Sequence, residues 1–204
     1  MKNNIYNQTE FLFSANQSSQ FPPDDGWEVA FAGRSNTGKS SVINAVTGKR
    51  ALARVSKTPG RTQLINFFTV KNQIRLVDLP GSGYAKVSGT LQQHWARLIS
   101  AYFSDRKSLQ GLILVTDIRR QLTEYDEQML IWSLDQGIPV HILLNKCDKL
   151  SASAAKQVLT AVRKRIEDEP ASVQLFSAQK KTGLAEVHAQ LDDWLLKKRK
   201  APDC

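Results

Sequence analysis

At 204 residues and 41% apolar content, the chain can bury one full core and is too apolar to remain disordered. Its longest apolar stretches, residues 112–115 and 142–144, are strand-length, which excludes a membrane-spanning helix. A net charge of +9 and a pI ≈ 9.7 point to a polyanionic partner: RNA, DNA or the ribosome. The N-terminus, MKNNIYNQTEFLF, has no basic segment leading into a long apolar one, so no signal peptide is expected. Cys147 and Cys204 form no CxxC pair and read as free thiols of a reducing cytoplasm. His94, His141 and His188 are too scattered to read as metal ligands.

Residues 1–25 are rich in Asn, Gln and Ser and end in Pro22-Pro23-Asp24-Asp25-Gly26; they read as a polar extension and a turn. Trp27–Ala32 predicts a strand that feeds a glycine-rich turn and then a helix over Lys39–Thr47. Residues 49–62, rich in charged and hydroxyl side chains around Pro59-Gly60, predict a loop. Residues 64–70 and 74–77 predict a hairpin turning at Lys71-Asn72-Gln73. A helix follows over 92–103, with Trp95, Leu98, Ile99 and Tyr102 on one face. Next come a strand at 112–117 and a helix at 123–134, opened by Thr123 with Asp126 three residues on. A strand at 140–144, a helix at 151–165 capped by Ser151, a strand at 173–176 and a helix at 184–196 complete the chain. This alternation predicts an α/β fold of three layers: a mostly parallel six-stranded sheet with one antiparallel strand at its edge. The expected division is a polar extension at 1–25, one domain at 26–196 and a basic tail at 197–204 containing Lys197, Lys198, Arg199 and Lys200.

Gly33-Arg34-Ser35-Asn36-Thr37-Gly38-Lys39-Ser40 matches GxxxxGK[ST] between a strand and a helix. The glycines let successive N–H groups face phosphates, Lys39 brings positive charge to them, and the Ser40 hydroxyl suits Mg²⁺. Asn145-Lys146-Cys147-Asp148 follows a strand about a hundred residues later. The Asp148 carboxylate can accept from N1–H and the 2-amino group of guanine, a pair that adenine lacks. Asp78-Leu79-Pro80-Gly81 also ends a strand: Asp78 can hold Mg²⁺ through water, and the Gly81 N–H can reach a γ-phosphate. The Ala178 N–H, in Ser177-Ala178-Gln179, can face the guanine carbonyl. Thr58 and Thr62 both qualify by type to complete a Mg²⁺ shell, and Thr62, next to the hairpin, is preferred.

GRSNTGKSSVINAV, TPGRTQLINFF, VDLPGSGYA, LLNKCDKL and FSAQKKTG, in this order and spacing, resemble the EngB (YihA/YsxC) family of bacterial GTPases. The resemblance runs from about Phe21 to Leu196. It implies a Ras-like P-loop GTPase domain that assists assembly of the large ribosomal subunit, with a link to cell division and septation. It also implies that Thr62 ligates Mg²⁺ and that Gly60, Arg61, Thr62, Gln63 and Leu64 line the nucleotide. With Ser41 and Phe176, the expected GTP-binding set then comprises residues 33–41, 60–64, 78–81, 145–148 and 176–178. The resemblance sets the family beside GTPases in which an asparagine matching Asn36 helps hold K⁺. Two readings of Asn36 stay open: a K⁺ ligand, or a brace for the P-loop. The family usually carries a tyrosine where this chain has Ser82, and Ras-like enzymes place a water-orienting glutamine there. No catalytic residue is therefore assigned, and slow intrinsic turnover is expected.

The leading reading is a cytoplasmic, monomeric GTP-dependent switch that binds the large ribosomal subunit or its RNA. Arg119, Arg120, Arg163, Lys164, Arg165, Lys180, Lys181 and the terminal basic run are the candidate contacts. The alternative is a GTP-binding interaction module that acts on the division machinery without useful turnover.

Overall fold

The computed structural model describes residues 4–53, 64–81, 89–120 and 122–197. Its strands are β1 (Glu10–Ala15), β2 (Trp27–Ala32), β3 (Ile65–Lys71), β4 (Ile74–Asp78), β5 (Leu109–Asp117), β6 (Val140–Asn145) and β7 (Ala171–Leu175). Its helices are α1 (Lys39–Thr47), α2 (Gly89–Asp105), α3 (Glu124–Asp135), α4 (Ala152–Arg165) and α5 (Leu184–Leu195). The strands form one sheet in the order β1-β3-β4-β2-β5-β6-β7. Only β3 runs against the rest, pairing antiparallel with both β1 and β4.

Alternation along the central strands explains the three layers. Ala30, Ala32, Leu112 and Leu114 face one core, with Leu98 and Ile99 of α2, Met129 of α3 and Val162 of α4. Val29, Phe31, Ile113 and Val115 face the other, with Val42 and Ile43 of α1 and Val187 and Leu191 of α5. The hairpin between β3 and β4 turns on Asn72 and Gln73, both at positive φ, as a two-residue turn between twisted strands requires. The box that opens α3 forms as expected, with the Thr123 N–H donating to Asp126 at 3.0 Å. Ser151 caps α4 by accepting from the Ala154 N–H.

The sheet has seven strands, one more than expected, and β3 is not its edge. The added strand, β1, comes from the segment read as a polar extension. Its register shifts between Phe11 and Phe13, and Phe11 and Leu12 are both exposed, so the alternation that marks a strand is broken there. Ahead of it, Tyr6 is buried, stacks on His188 and donates to Asp192 at 2.8 Å.

At the amino edge of the sheet, Glu28 is wholly buried. It accepts from Arg75 Nε at 2.6 Å, from the Arg106 guanidinium and from the Tyr102 hydroxyl at 3.1 Å. Arg75 and Arg106 also donate to the carbonyls of Asp25, Pro23 and Pro22, which fixes the turn before β2.

Candidate functional site

The carboxyl edge carries the motifs. After β2 the chain curls through residues 33–38, where the Thr37 hydroxyl donates to the Arg34 carbonyl at 2.9 Å. Gly38 has φ 95°, and a Cβ there would lie 2.5 Å from Asn145 Nδ2, so both backbone and space demand glycine. A Cβ at Gly33 would run into the Val115 carbonyl. No side chain caps α1, so its first N–H groups and positive dipole end point out of the loop, as an anion-binding site requires. Ser40 is half-buried and Ser41 exposed at this helix start.

Lys39 is ion-paired with Asp78, the last residue of β4, and both side chains are about nine-tenths buried. Leu79 is locked to the sheet by its N–H, which donates to the Phe31 carbonyl at 3.0 Å. Pro80 is buried. Gly81 packs on the P-loop: a Cβ there would lie 3.1 Å from the Gly33 carbonyl and 3.4 Å from the Ser35 nitrogen.

Asn145 ties three loops together. Its Nδ2 donates to the Thr37 carbonyl at 2.8 Å, and its Oδ1 accepts from the Ala178 N–H at 3.2 Å. Lys146, at φ 64°, donates to the Asn36 carbonyl at 2.5 Å and to Asp117 at 3.0 Å. The Cys147 N–H donates to the carbonyl of buried Phe176. Burial raises the pKa of the Cys147 thiol, and the neighbouring Asp148 carboxylate adds to the shift. The Ser177 hydroxyl donates to Asp148 at 2.6 Å and holds its carboxyl below the usual carboxylate range. Asp148 is thus kept ionised, an acceptor fixed in place beside the P-loop.

Asp117 and Tyr125, at this edge, carried no sequence signal. Asp117 ends β5 and is paired in register with Asn145. It binds Arg119 through both carboxylate oxygens as well as Lys146, and Arg119 is the main cause of its lowered pKa. A cavity of ≈ 100 Å³ lies between P-loop residues 34–37, the end of β5 and the start of α3; Arg34, Asp117, Arg119, Arg120 and Asp126 help line it. Asp126 is buried, and burial raises its pKa against the opposing Thr123 and Thr116 bonds and the nearby charge of Arg34. The Trp95 ring N–H is buried with no hydrogen-bond partner among the described residues, and the Trp95 and Tyr125 rings meet between α2 and α3 at 6.0 Å. The Asn36 side chain is exposed and makes no hydrogen bond to any described residue.

The basic candidates do not converge on one element. Arg119 and Arg120 flank the cavity, and Lys180 and Lys181 sit in the turn after β7. Arg163, Lys164 and Arg165 form the exposed last turn of α4. Lys197 is exposed and paired with Asp193. The histidines serve packing: His141 bonds Ser172 and Gln174, His188 the Val46 carbonyl, and His94 the Asn16 carbonyl. Thr58, Gly60, Arg61, Thr62, Gln63, Ser82, Lys198, Arg199, Lys200 and Cys204 lie outside the described residues, while Leu64 stands half-buried just before β3. No helix among the described residues is long and apolar enough to cross a membrane.

Comparison with known proteins agrees with this geometry. A family model described as "50S ribosome-binding GTPase" matches residues 28–146. The chain is 51% identical over 191 residues to the probable GTP-binding protein EngB of Coxiella burnetii (strain RSA 331 / Henzerling II), covering 93% of each chain. It is 52% identical over 195 residues to the probable GTP-binding protein EngB of Nitrosococcus oceani, covering 95% of this chain and 98% of that one. A crystal structure of a probable GTP-binding protein engB superposes with a TM-score of 0.67 at 23% identity, over 84% of this chain and 100% of that one. Aquifex aeolicus Era superposes at 0.64 with 20% identity, over 84% and 57%; these two superpositions speak to the fold. The chain belongs to the EngB family of GTP-binding proteins, with the fold of a Ras-like GTPase.

Proposed function

We propose that this chain is a magnesium-dependent GTPase switch that assists assembly of the large ribosomal subunit. The carrying observation is the joint placement of Asp148 and the P-loop, bridged by Asn145 and Ser177. An ionised carboxylate held there selects a base with two adjacent donors, which guanine has and adenine lacks. In this reading, residues 33–41 cradle the phosphates, residues 145–148 and 176–178 hold the base, and residues 60–64 and 78–81 approach the γ-phosphate side. Residues 26–196 then carry the nucleotide-binding segments, the preceding segment adds β1 to the same sheet, and the basic tail follows.

The residues present suit Mg²⁺. The Ser40 hydroxyl, at the start of α1, and Thr62 are the proposed direct oxygen donors, and the Asp78 carboxylate at the end of β4 would hold the ion through water. When bound, the metal neutralises charge on the transferred phosphoryl group. Lys39, paired with Asp78 here, is the residue to engage the phosphate oxygens. The Asn36 side chain is exposed and bonds no described residue, which supports its reading as a K⁺ ligand over that of a brace. Turnover is then slow, faster in K⁺ than in Na⁺, and loses this preference in Asn36→Ala.

The ribosomal part of the reading rests on the charge of +9 and on the matched family's description. The link to division and septation implied by the resemblance belongs to the same proposal, as does a cytoplasmic, monomeric state. Competition with a fluorescent guanine nucleotide tests the base: GTP and GDP displace it and ATP does not. Asp148→Asn shifts preference to xanthine nucleotide. Equal competition by ATP overturns the guanine reading. Co-sedimentation with large ribosomal subunits that requires a GTP analogue and falls with salt tests the partner.

A further inference from the structure

The carboxylate of Asp78 is held from two sides. Lys39 takes Oδ1, and the Asn66 side-chain amide approaches Oδ2 at 3.4 Å. A carboxylate only accepts hydrogen bonds, so the NH₂ end of Asn66 must face it. That leaves the Asn66 carbonyl pointing away, and there the Ser14 hydroxyl donates to it at 2.6 Å. The three residues are register partners across adjacent strands: Ser14 of β1 opposite Asn66 of β3, and Asn66 opposite Asp78 of β4. The amide therefore has one orientation that satisfies both neighbours.

We infer that Asn66 is a positioning residue that aims Asp78, and that Ser14, on the edge strand, fixes Asn66 in turn. This inference rests on the proposed reading of Asp78 as the carboxylate that faces the metal. The Asn66 amide turns Oδ2 into the row and limits rotation of the carboxylate about its last torsion. An Asp78 left to rotate offers its oxygens to a metal shell less often, so metal affinity falls while direct phosphate contacts stand. Through this row, β1 contributes to the nucleotide site although none of its residues reaches the P-loop.

The test is release of a fluorescent GDP from the full chain, measured against free Mg²⁺ concentration. In Asn66→Ala the half-saturating Mg²⁺ rises about fivefold, the scale of one hydrogen bond to a charged group, while the release rate without metal stays unchanged. Ser14→Ala, a milder change at the surface of β1, raises it about twofold. The double variant behaves as Asn66→Ala alone, because Ser14 acts only through Asn66. An unchanged Mg²⁺ dependence in both single variants, or additive effects in the double variant, overturns the row. Asp78→Asn separates the two readings: if it leaves Mg²⁺ dependence unchanged, the metal reading of Asp78 itself is wrong. If it raises the Mg²⁺ requirement while Asn66→Ala does not, only the positioning role falls.

Discussion

At the amino edge of the sheet the wholly buried Glu28 meets two guanidinium groups and a phenol; at the carboxyl edge the equally buried Asp126 bonds the Thr123 N–H and hydroxyl and has no ion pair among the described residues. The polar groups around Glu28 are closed on one another and on the carbonyls of the preceding turn. Near the carboxyl edge the Trp95 ring N–H is buried with no hydrogen-bond partner among the described residues. A helix start with no side-chain cap among the described residues lies at the same edge. A closed cluster fixes the frame, because breaking it strands charge in the core. An edge that must bind keeps groups in reserve, at some cost in stability.

The sharpest way to break this contrast is Glu28→Gln. It leaves Arg75 and Arg106 facing a neutral amide in the core, and a loss of about 3–5 kcal/mol is expected. Urea unfolding measures it, and the folded fraction should bind GDP with unchanged affinity because the proposed site lies at the opposite edge. A parallel loss of GDP affinity in the folded fraction would show that the two edges are not independent.

Lys39→Ala is the counterpart at the carboxyl edge. GTP affinity should drop by roughly 100-fold, the scale of losing one partner of a desolvated charge pair. The fold should survive, since Lys39 lies outside both apolar cores. Isothermal titration together with a thermal melt decides between loss of binding and loss of fold. Gly38→Ala follows, with about 1–3 kcal/mol of strain from φ 95° and the contact with Asn145. It should lower stability and nucleotide affinity together, because Asn145 bridges the P-loop to the base loops. A variant as stable as the parent chain would mean that the loop relaxes freely.

How far the sequence reveals these two edges differs for a physical reason. The P-loop, the DxxG segment and the NKxD segment are local strings whose spacing alone places them at strand ends, and each ends its expected strand. The capping residues Thr123 and Ser151 are legible for the same reason, since a cap acts within one turn. The Glu28 cluster is not legible: Arg75 and Arg106 stand 47 and 78 positions away, and only the sheet order brings them in. Asp117 and Asn66 are missed likewise, because each acquires its role from a cross-strand register. β1 is missed because Leu12 interrupts the alternation of Phe11, Phe13 and Ala15.

The smallest expected effect separates two buried carboxylates of the carboxyl edge by the sign of their pH dependence. Asp126 has its pKa raised, by burial above all. A raised acid favours the protonated form in the fold, so its contribution is full below the ordinary carboxylate pKa and is lost as pH rises through the folded value. Asp117 has its pKa lowered, chiefly by Arg119, with Lys146 adding to it. Its contribution is full above the ordinary value and is lost as pH falls through the folded one. Asp126→Asn keeps a carbonyl oxygen for the Thr123 N–H and removes the charge that burial opposes. It should therefore stabilise the protein at about pH 7 and lose that advantage by about pH 4. Asp117→Asn should destabilise at about pH 7, with the deficit narrowing as the medium becomes more acid. Denaturant midpoints at the two pH values read both trends. Should Asp126→Asn instead weaken the fold at neutral pH, the Asp126 carboxylate has a charged partner in solution, and the carboxyl edge is as closed as the amino edge.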